Sequence, residues 1–379
     1  MTAAARPAFR SSRNPRAFNP VAGTLYGMVG GCPDRAGVYK AFGGQAAFTA
    51  LMDRLVDYPV LKRSPITTLR HMPYDAHATF VKSCVQGWQG THRPGLPQLA
   101  QALLMDKGID VTQRPLDKSL PLQERALIRA VMLVAARAEI NRVGATNAYH
   151  NPIHTAHVAT MAGYLTDLND QLVEGYGRFA EFTSRDKILT VLAAFAHDID
   201  HPGQPNPPHD PLRNERGALA AVLPLLKAAG VSPRDCARVE TLILTTSPNG
   251  PHKTLKAVAH AHSHRELFQA SGQGAYADLA ATLHADRGLT QMAAILSDSD
   301  LFASVADISA SNVTSRRLNA ECRRAGLKVD FTTAQARDGF ITHVVGRSGF
   351  ASQAATAGFN RLYRGFVAAN DALLKNLQP

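Results

Sequence analysis

The chain has 379 residues, enough for one large domain or two modest ones with a substantial buried core. Its hydrophobic fraction of 45% is ordinary for a globular protein, and no run approaches the roughly 18 uninterrupted apolar residues of a membrane span. The net charge of +11 suits small anionic ligands, but the basic residues form no stripe interleaved with aromatics, and Trp88 is the only tryptophan, so nothing points to a nucleic-acid surface.

Much of the positive excess comes first: Arg6, Arg10, Arg13 and Arg16 all precede the first acid, Asp34. Residues 1–40 read as a basic, disordered leader. Residues 1–23, rich in Arg, Ala, Ser and Pro, would pass in a eukaryote for a transit peptide. Cys32, Cys84, Cys236 and Cys322 are scattered with no CxxC pair, which argues against a disulfide framework and a thiolate zinc site and fits a reducing, cytoplasmic setting.

Residues 41–124 read as a helical accessory lobe. Phe48, Leu51, Met52, Leu55 and Val56 repeat at three and four, a Pro- and His-containing loop follows, and helices are expected at 97–107 and 122–141. Residues 125–379 form the expected catalytic domain. Helices are predicted there at 150–173, 186–198, 215–229, 234–246, 254–270, 275–285, 289–307, 314–325, 333–345 and 353–377, with Gly and Pro punctuating the gaps. With alanine abundant and no alternating strand pattern, the fold class is all-α, a helical bundle with a metal site in its core.

Two motifs carry the chemistry. In Tyr149-His150-Asn151-Pro152-Ile153-His154-Thr155-Ala156-His157-Val158, a helical reading puts His150, His154 and His157 on one face. In His197-Asp198-Ile199-Asp200-His201-Pro202-Gly203-Gln204-Pro205-Asn206, His197 and His201 repeat that spacing, and the apolar run Ile188, Leu189, Val191, Leu192 and Phe195 delivers them to the inner end of a buried helix. Imidazoles and carboxylates in such a place need a partner for their polarity, and a divalent metal supplies one: zinc, manganese or iron for mixed nitrogen and oxygen donors, magnesium for carboxylates plus water.

The motifs resemble those of the class I 3′,5′-cyclic nucleotide phosphodiesterase catalytic domain, a branch of the HD superfamily. HNPIHTAHV and HDIDHPGQPN match that family's first two motifs, and Leu296-Ser297-Asp298-Ser299-Asp300-Leu301 is the counterpart of its third. The resemblance implies that His154, His197, Asp198 and Asp300 hold a tighter metal, with Asp298 as the alternative third-segment ligand. It also implies that Asp198 bridges to a second metal held largely through water, that His150 is the general acid, and that His201 sits beside the second metal. Two divalent ions are then expected, zinc with magnesium or manganese, or iron, and a small anionic nucleotide as substrate.

The sequence departs from the family at four places. His157 stands where an acid is preferred, the acidic His-rich stretch after the second motif has no counterpart in residues 210–245, and Thr245-Thr246 replaces Thr-Asp. The family's base-holding Gln-x-x-Phe is represented at best by Gln353 and Phe359, six residues apart. His252, His260, His262 and His264 form a loose group in which alternate residues cannot share a helix face. Two other functions remain compatible with the ligand set: an HD-type nucleotidase, and an HD-type di-iron oxygenase recruiting His157, His201 or His252.

Overall fold

The computed structural model describes residues 20–55, 58, 61, 66, 93–112, 120–140, 147–176, 181–248, 250–266 and 268–377, and among them there is no strand. The all-α expectation holds. Helices α1 (Pro20–Gly30), α2 (Arg35–Ala41), α3 (Gln45–Leu55) and α4 (Leu96–Asp106) lead to α5 (Leu122–Ile140), α6 (Pro152–Tyr176) and α7 (Ser184–Ala196). Then come α8 (Arg213–Ala228), α9 (Pro233–Leu244), α10 (Pro251–His264), α11 (Ala277–Ala285), α12 (Arg287–Val305), α13 (Ile308–Arg324), α14 (Ala334–Phe340) and α15 (Gln353–Lys375).

At the centre of the molecule α7 packs against α5, α6 and α12. Every residue of α5 from Ala126 to Glu139 is buried, as expected of a helix that is apolar all round. Its charged members are satisfied locally. Glu139 accepts from Arg93 through both Nη atoms at 2.9 and 2.5 Å, from the Tyr58 hydroxyl at 2.7 Å and from Leu96 N at 2.8 Å. A buried ion pair is tolerable when its remaining lone pairs are filled in this way. In α7, a capping box between Thr183 and Asp186 fixes the start, and Ile188, Leu189, Val191, Leu192 and Phe195 bury their side chains. Each contributes about 1.5–3 kcal/mol by leaving water.

Two expectations about the chain's organisation are corrected. Residues 20–40 are not a disordered leader. Val21, Leu25, Met28 and Val29 share one face of α1, Val38 is buried in α2, and all belong to the same hydrophobic core as α5. The arginines that dominate the composition all precede residue 20, outside the described residues, and mask the helical spacing that follows. The accessory lobe at 41–124 also lacks a core of its own in its described part, because Phe48, Leu51, Leu99 and Leu103 bury into the core shared with α5–α7. The expected helix at 333–345 divides at Phe340, and a short π-helical turn (Ile341–Val345) ends at Gly346.

Candidate metal centre

The centre is built where two helices begin and end. The Asn151 carboxamide oxygen accepts from Ile153 N at 2.9 Å and from His154 N at 3.3 Å, while Pro152 occupies the first helical position, so α6 starts there with His154 in its first turn. His150 therefore precedes the helix rather than sharing a face with His154. Likewise α7 ends at Ala196, and His197–His201 is a turn. Asp200 adopts φ 59°, a left-handed conformation that costs a non-glycine residue about 1–2 kcal/mol. Arg137 of α5 donates to its carboxylate at 2.5 Å and holds the turn. Gly203 follows at φ 70°, and a Cβ there would lie 2.6 Å from Asn147 Oδ1 and 2.9 Å from Glu321 Oε1.

These turns bring four groups together. His154 Nε2 lies 2.9 Å from Asp300 Oδ1 and 3.3 Å from Asp198 Oδ2, and His197 Nε2 lies 3.2 Å from Asp198 Oδ2 and 3.7 Å from Asp300 Oδ1. The distances are short, yet His154 Nε2, His197 Nε2 and Asp198 Oδ2 are buried without an aligned hydrogen bond. His197 Nδ1 is committed to Ala194 O at 2.9 Å, which fixes the ring and turns Nε2 toward the carboxylates. Burial opposes charge on the His154 ring, but Asp198 and Asp300 together outweigh it and hold its pKa up to about 9. The His197 ring is raised for the same reason, and the two carboxylates are kept ionised against their own burial by the facing histidines. Two nitrogens and two carboxylates drawn together, with the outer nitrogen of His197 anchored to backbone, are a donor set that could hold a divalent cation. His154, His197 and Asp198 have ligand atoms within 4.8 Å of one another.

A second group stands beside it. His150 Nδ1 meets Glu321 Oε1 at 3.0 Å, while Glu321 Oε2 accepts from Tyr149 N at 3.0 Å and His150 N at 3.2 Å. The His201 ring stacks on His150 with centroids 3.6 Å apart. Gly203 N donates to His201 Nδ1 at 3.0 Å, and the Asn214 amide nitrogen lies 3.1 Å from Nε2, so an added ring proton has no acceptor. Burial and the neighbouring His150 push the His201 pKa down to about 3.

A cavity of about 240 Å³ opens onto both groups. His150, His197, Asp198, His201 and Asp300 line it together with the apolar Leu301, Leu318, Phe331 and Phe340. Asn214 and Glu215 lie on its wall. Asn206 fastens that wall by accepting from Asn214 N at 2.8 Å and donating to Glu215 Oε2 at 2.9 Å.

Other residues singled out in the sequence fall elsewhere. Asp298 turns away from the histidines and accepts from Ala351 N and Ser352 N at 2.9 and 2.6 Å. Gln353 is bonded to Ser263, and Phe359 is buried against Phe302 and Tyr164, so neither lines the cavity. His157 is buried, and burial pulls its pKa down to about 3. His252 bonds Ser297 Oγ at 2.7 Å through Nδ1. The His260/His264 and His262/His284 pairs stack on each other away from the cavity.

The sequence reading missed Glu321, Asn214 and Glu215, and also Arg337 and Phe340. For the last two a signal existed: Arg337-Asp338-Gly339-Phe340 keeps the three-residue spacing of Gln-x-x-Phe, with an arginine in the glutamine's place.

No family model matches the chain, and no curated protein does. Solved structures are similar to it. The phosphodiesterase domain of the RhoPDE fusion protein from the choanoflagellate Salpingoeca rosetta is 16% identical, with 85% of this chain and 95% of that chain covered and a TM-score of 0.47. The phosphodiesterase domain of Salpingoeca rosetta rhodopsin phosphodiesterase is 17% identical, with coverages of 81% and 90% and a TM-score of 0.47. LmjPDEB1, solved in complex with IBMX, is 16% identical, with coverages of 83% and 92% and a TM-score of 0.46. The likeness is one of fold.

Proposed function

We propose that the chain is a metal-dependent phosphohydrolase acting on a phosphodiester. The motif resemblance favours the 3′,5′-phosphodiester of a cyclic nucleotide, opened to a nucleoside 5′-monophosphate. One observation carries this reading: His154 Nε2, His197 Nε2, Asp198 Oδ2 and Asp300 Oδ1 converge beside a cavity without hydrogen-bonding one another properly. Such a buried polar cluster is costly unless a cation neutralises it.

Bound divalent metal would supply charge neutralisation for the phosphate and a water acidified toward neutral pH. His154, His197, Asp198 and Asp300 would hold one ion, and by the motif resemblance Asp198 would also take part in holding a second. Zinc with magnesium or manganese suits this donor set, with iron as the alternative. The protein's own contribution is proton delivery. Glu321 accepts the Nδ1 proton of His150, so a proton on Nε2 is the one available to a leaving oxygen. His201, held neutral, stacks against His150 and keeps its ring plane fixed.

Metal analysis together with a hydrolysis screen over cyclic mononucleotides, cyclic dinucleotides and nucleoside monophosphates tests the reading. Turnover of a diester by the metal-loaded chain is expected. Bound metal without hydrolysis of any ester would remove it.

A further inference from the structure

A smaller lobe of about 80 Å³ adjoins the cavity, and Tyr149, Ser304, Leu318, Phe331 and Phe340 line both spaces. Arg337, only 6% exposed, lines the lobe and not the main cavity. Its Nε donates to Asn370 Oδ1 at 2.9 Å, and its Nη1 donates to Asn312 Oδ1 at 2.9 Å and to the Thr332 carbonyl at 2.5 Å. All three partners are neutral. Burial lowers its pKa with no neighbouring charge acting against it. Of the other buried arginines, Arg93 is paired with Glu139 and Arg137 with Asp200, while Arg129 donates to the Ala229 carbonyl and lines neither space.

An arginine cannot shed its proton to escape burial, so an uncompensated guanidinium facing a cavity is an anion site waiting for its counter-charge. The three hydrogen bonds orient the fork and leave Nη2 uncommitted among the described residues. The Ser311 and Ser315 hydroxyls also line the lobe, and neither donates within the described residues. Guanidinium and hydroxyl donors around a space of this size suit a phosphate group.

We propose that this lobe is a second phosphate subsite, and that the substrate is a phosphodiester carrying a further phosphate that Arg337 receives while the scissile one lies at the metal centre. The proposal rests on the phosphohydrolase reading. It also implies that recognition at this end of the cavity is by charge and not by a carboxamide reading a base.

The test uses the full chain loaded with metal and two matched pairs of probes: a dinucleotide with and without a 5′-terminal phosphate, and a nucleoside 3′,5′-bisphosphate beside its 5′-monophosphate. Binding is measured by calorimetry, which does not depend on turnover. The extra phosphate should tighten binding at least tenfold in one pair or the other. Arg337→Gln should erase that advantage and Arg337→Lys should keep part of it. If Arg337→Gln fails to fold, Arg337→Lys stands in for it, and an advantage undiminished in that variant overturns the proposal. No advantage from the extra phosphate in either pair overturns the proposal. So does an advantage that survives Arg337→Gln, or a preference that follows the base instead of the phosphate. Hydrolysis of bis(p-nitrophenyl) phosphate, which carries no second phosphate, is followed in parallel with wild type. Absence of hydrolysis of this and of every other ester tested would sink the phosphohydrolase reading without touching the binding result.

Discussion

Asp298 and Asp300 sit two residues apart on α12, the first buried and the second half-buried on the cavity wall, and they do opposite things. Asp298 gives its two oxygens to Ala351 N and Ser352 N, with the Ser352 side chain capping α15 beside it. Burial lifts its pKa to about 6 even so. Asp300 gives its oxygen to imidazole nitrogens that meet no aligned donor or acceptor. Side chains two apart on a helix point to different sides, so a single substitution on each side separates structure from chemistry. Burial alone says little about a carboxylate's role. What the other groups around it still lack says much more.

The sharpest way to break this contrast is on the Asp300 side. Asp300→Asn and His197→Ala each delete a donor, so bound metal and hydrolysis should both fall to background in metal analysis and initial-rate assays. Full metal content in either variant would dissolve the distinction.

His150→Ala should retain its metal and lose on the order of 10²–10⁴-fold in turnover, the usual contribution of a proton donor. The loss should shrink for a substrate whose leaving group is a nitrophenolate, which departs unprotonated. Glu321→Gln keeps the shape but weakens the hold on His150 Nδ1. A decrease of about 10–100-fold is expected, as for other groups that orient a site residue, with the pH–rate profile displaced along with kcat.

Metal affinity should depend on pH. In the metal-free centre the two carboxylates hold the His154 pKa up to about 9, and metal can enter only as that proton leaves. Apparent affinity should therefore rise with pH up to about 9, by about tenfold per unit for each proton displaced. Calorimetry in buffers of different ionisation enthalpy counts the protons released. The smallest effect belongs to Asp298→Asn. It should leave metal content unchanged and lower stability by about 1–3 kcal/mol, because one amide hydrogen is turned toward a backbone N–H. Thermal denaturation reads that cost.

Much of this was legible in the sequence. The apolar spacing of residues 186–196 and 289–305 gave the helices, the paired motifs pointed to His154, His197 and Asp198, and the family resemblance added Asp300 with Asp298 as its alternative. Two things were hidden. The motifs look continuously helical because their histidines recur at four, but Pro152 starts one helix after His150, and the left-handed Asp200 unwinds the other before His201. Glu321 lies 171 residues from His150, in a segment whose local pattern is that of any amphipathic helix. Arg337 was hidden because an arginine does not match the glutamine of the family's pattern, whereas Gln353 does. Only the cavity distinguishes the two.

The opening helices have a practical bearing on anyone who wishes to work with a shorter protein. Trimming the chain to residues 125–379, which the motifs alone would suggest, removes Leu25, Met28, Val38, Phe42, Phe48 and Leu51, each at most 3% exposed in the intact fold. The surface they cover on α5 and α8 would be left as a contiguous apolar patch, and such patches make isolated fragments self-associate. Inclusion bodies are the expected yield of that boundary, and a start at or before Pro20 is the one that should give monodisperse material in size-exclusion chromatography.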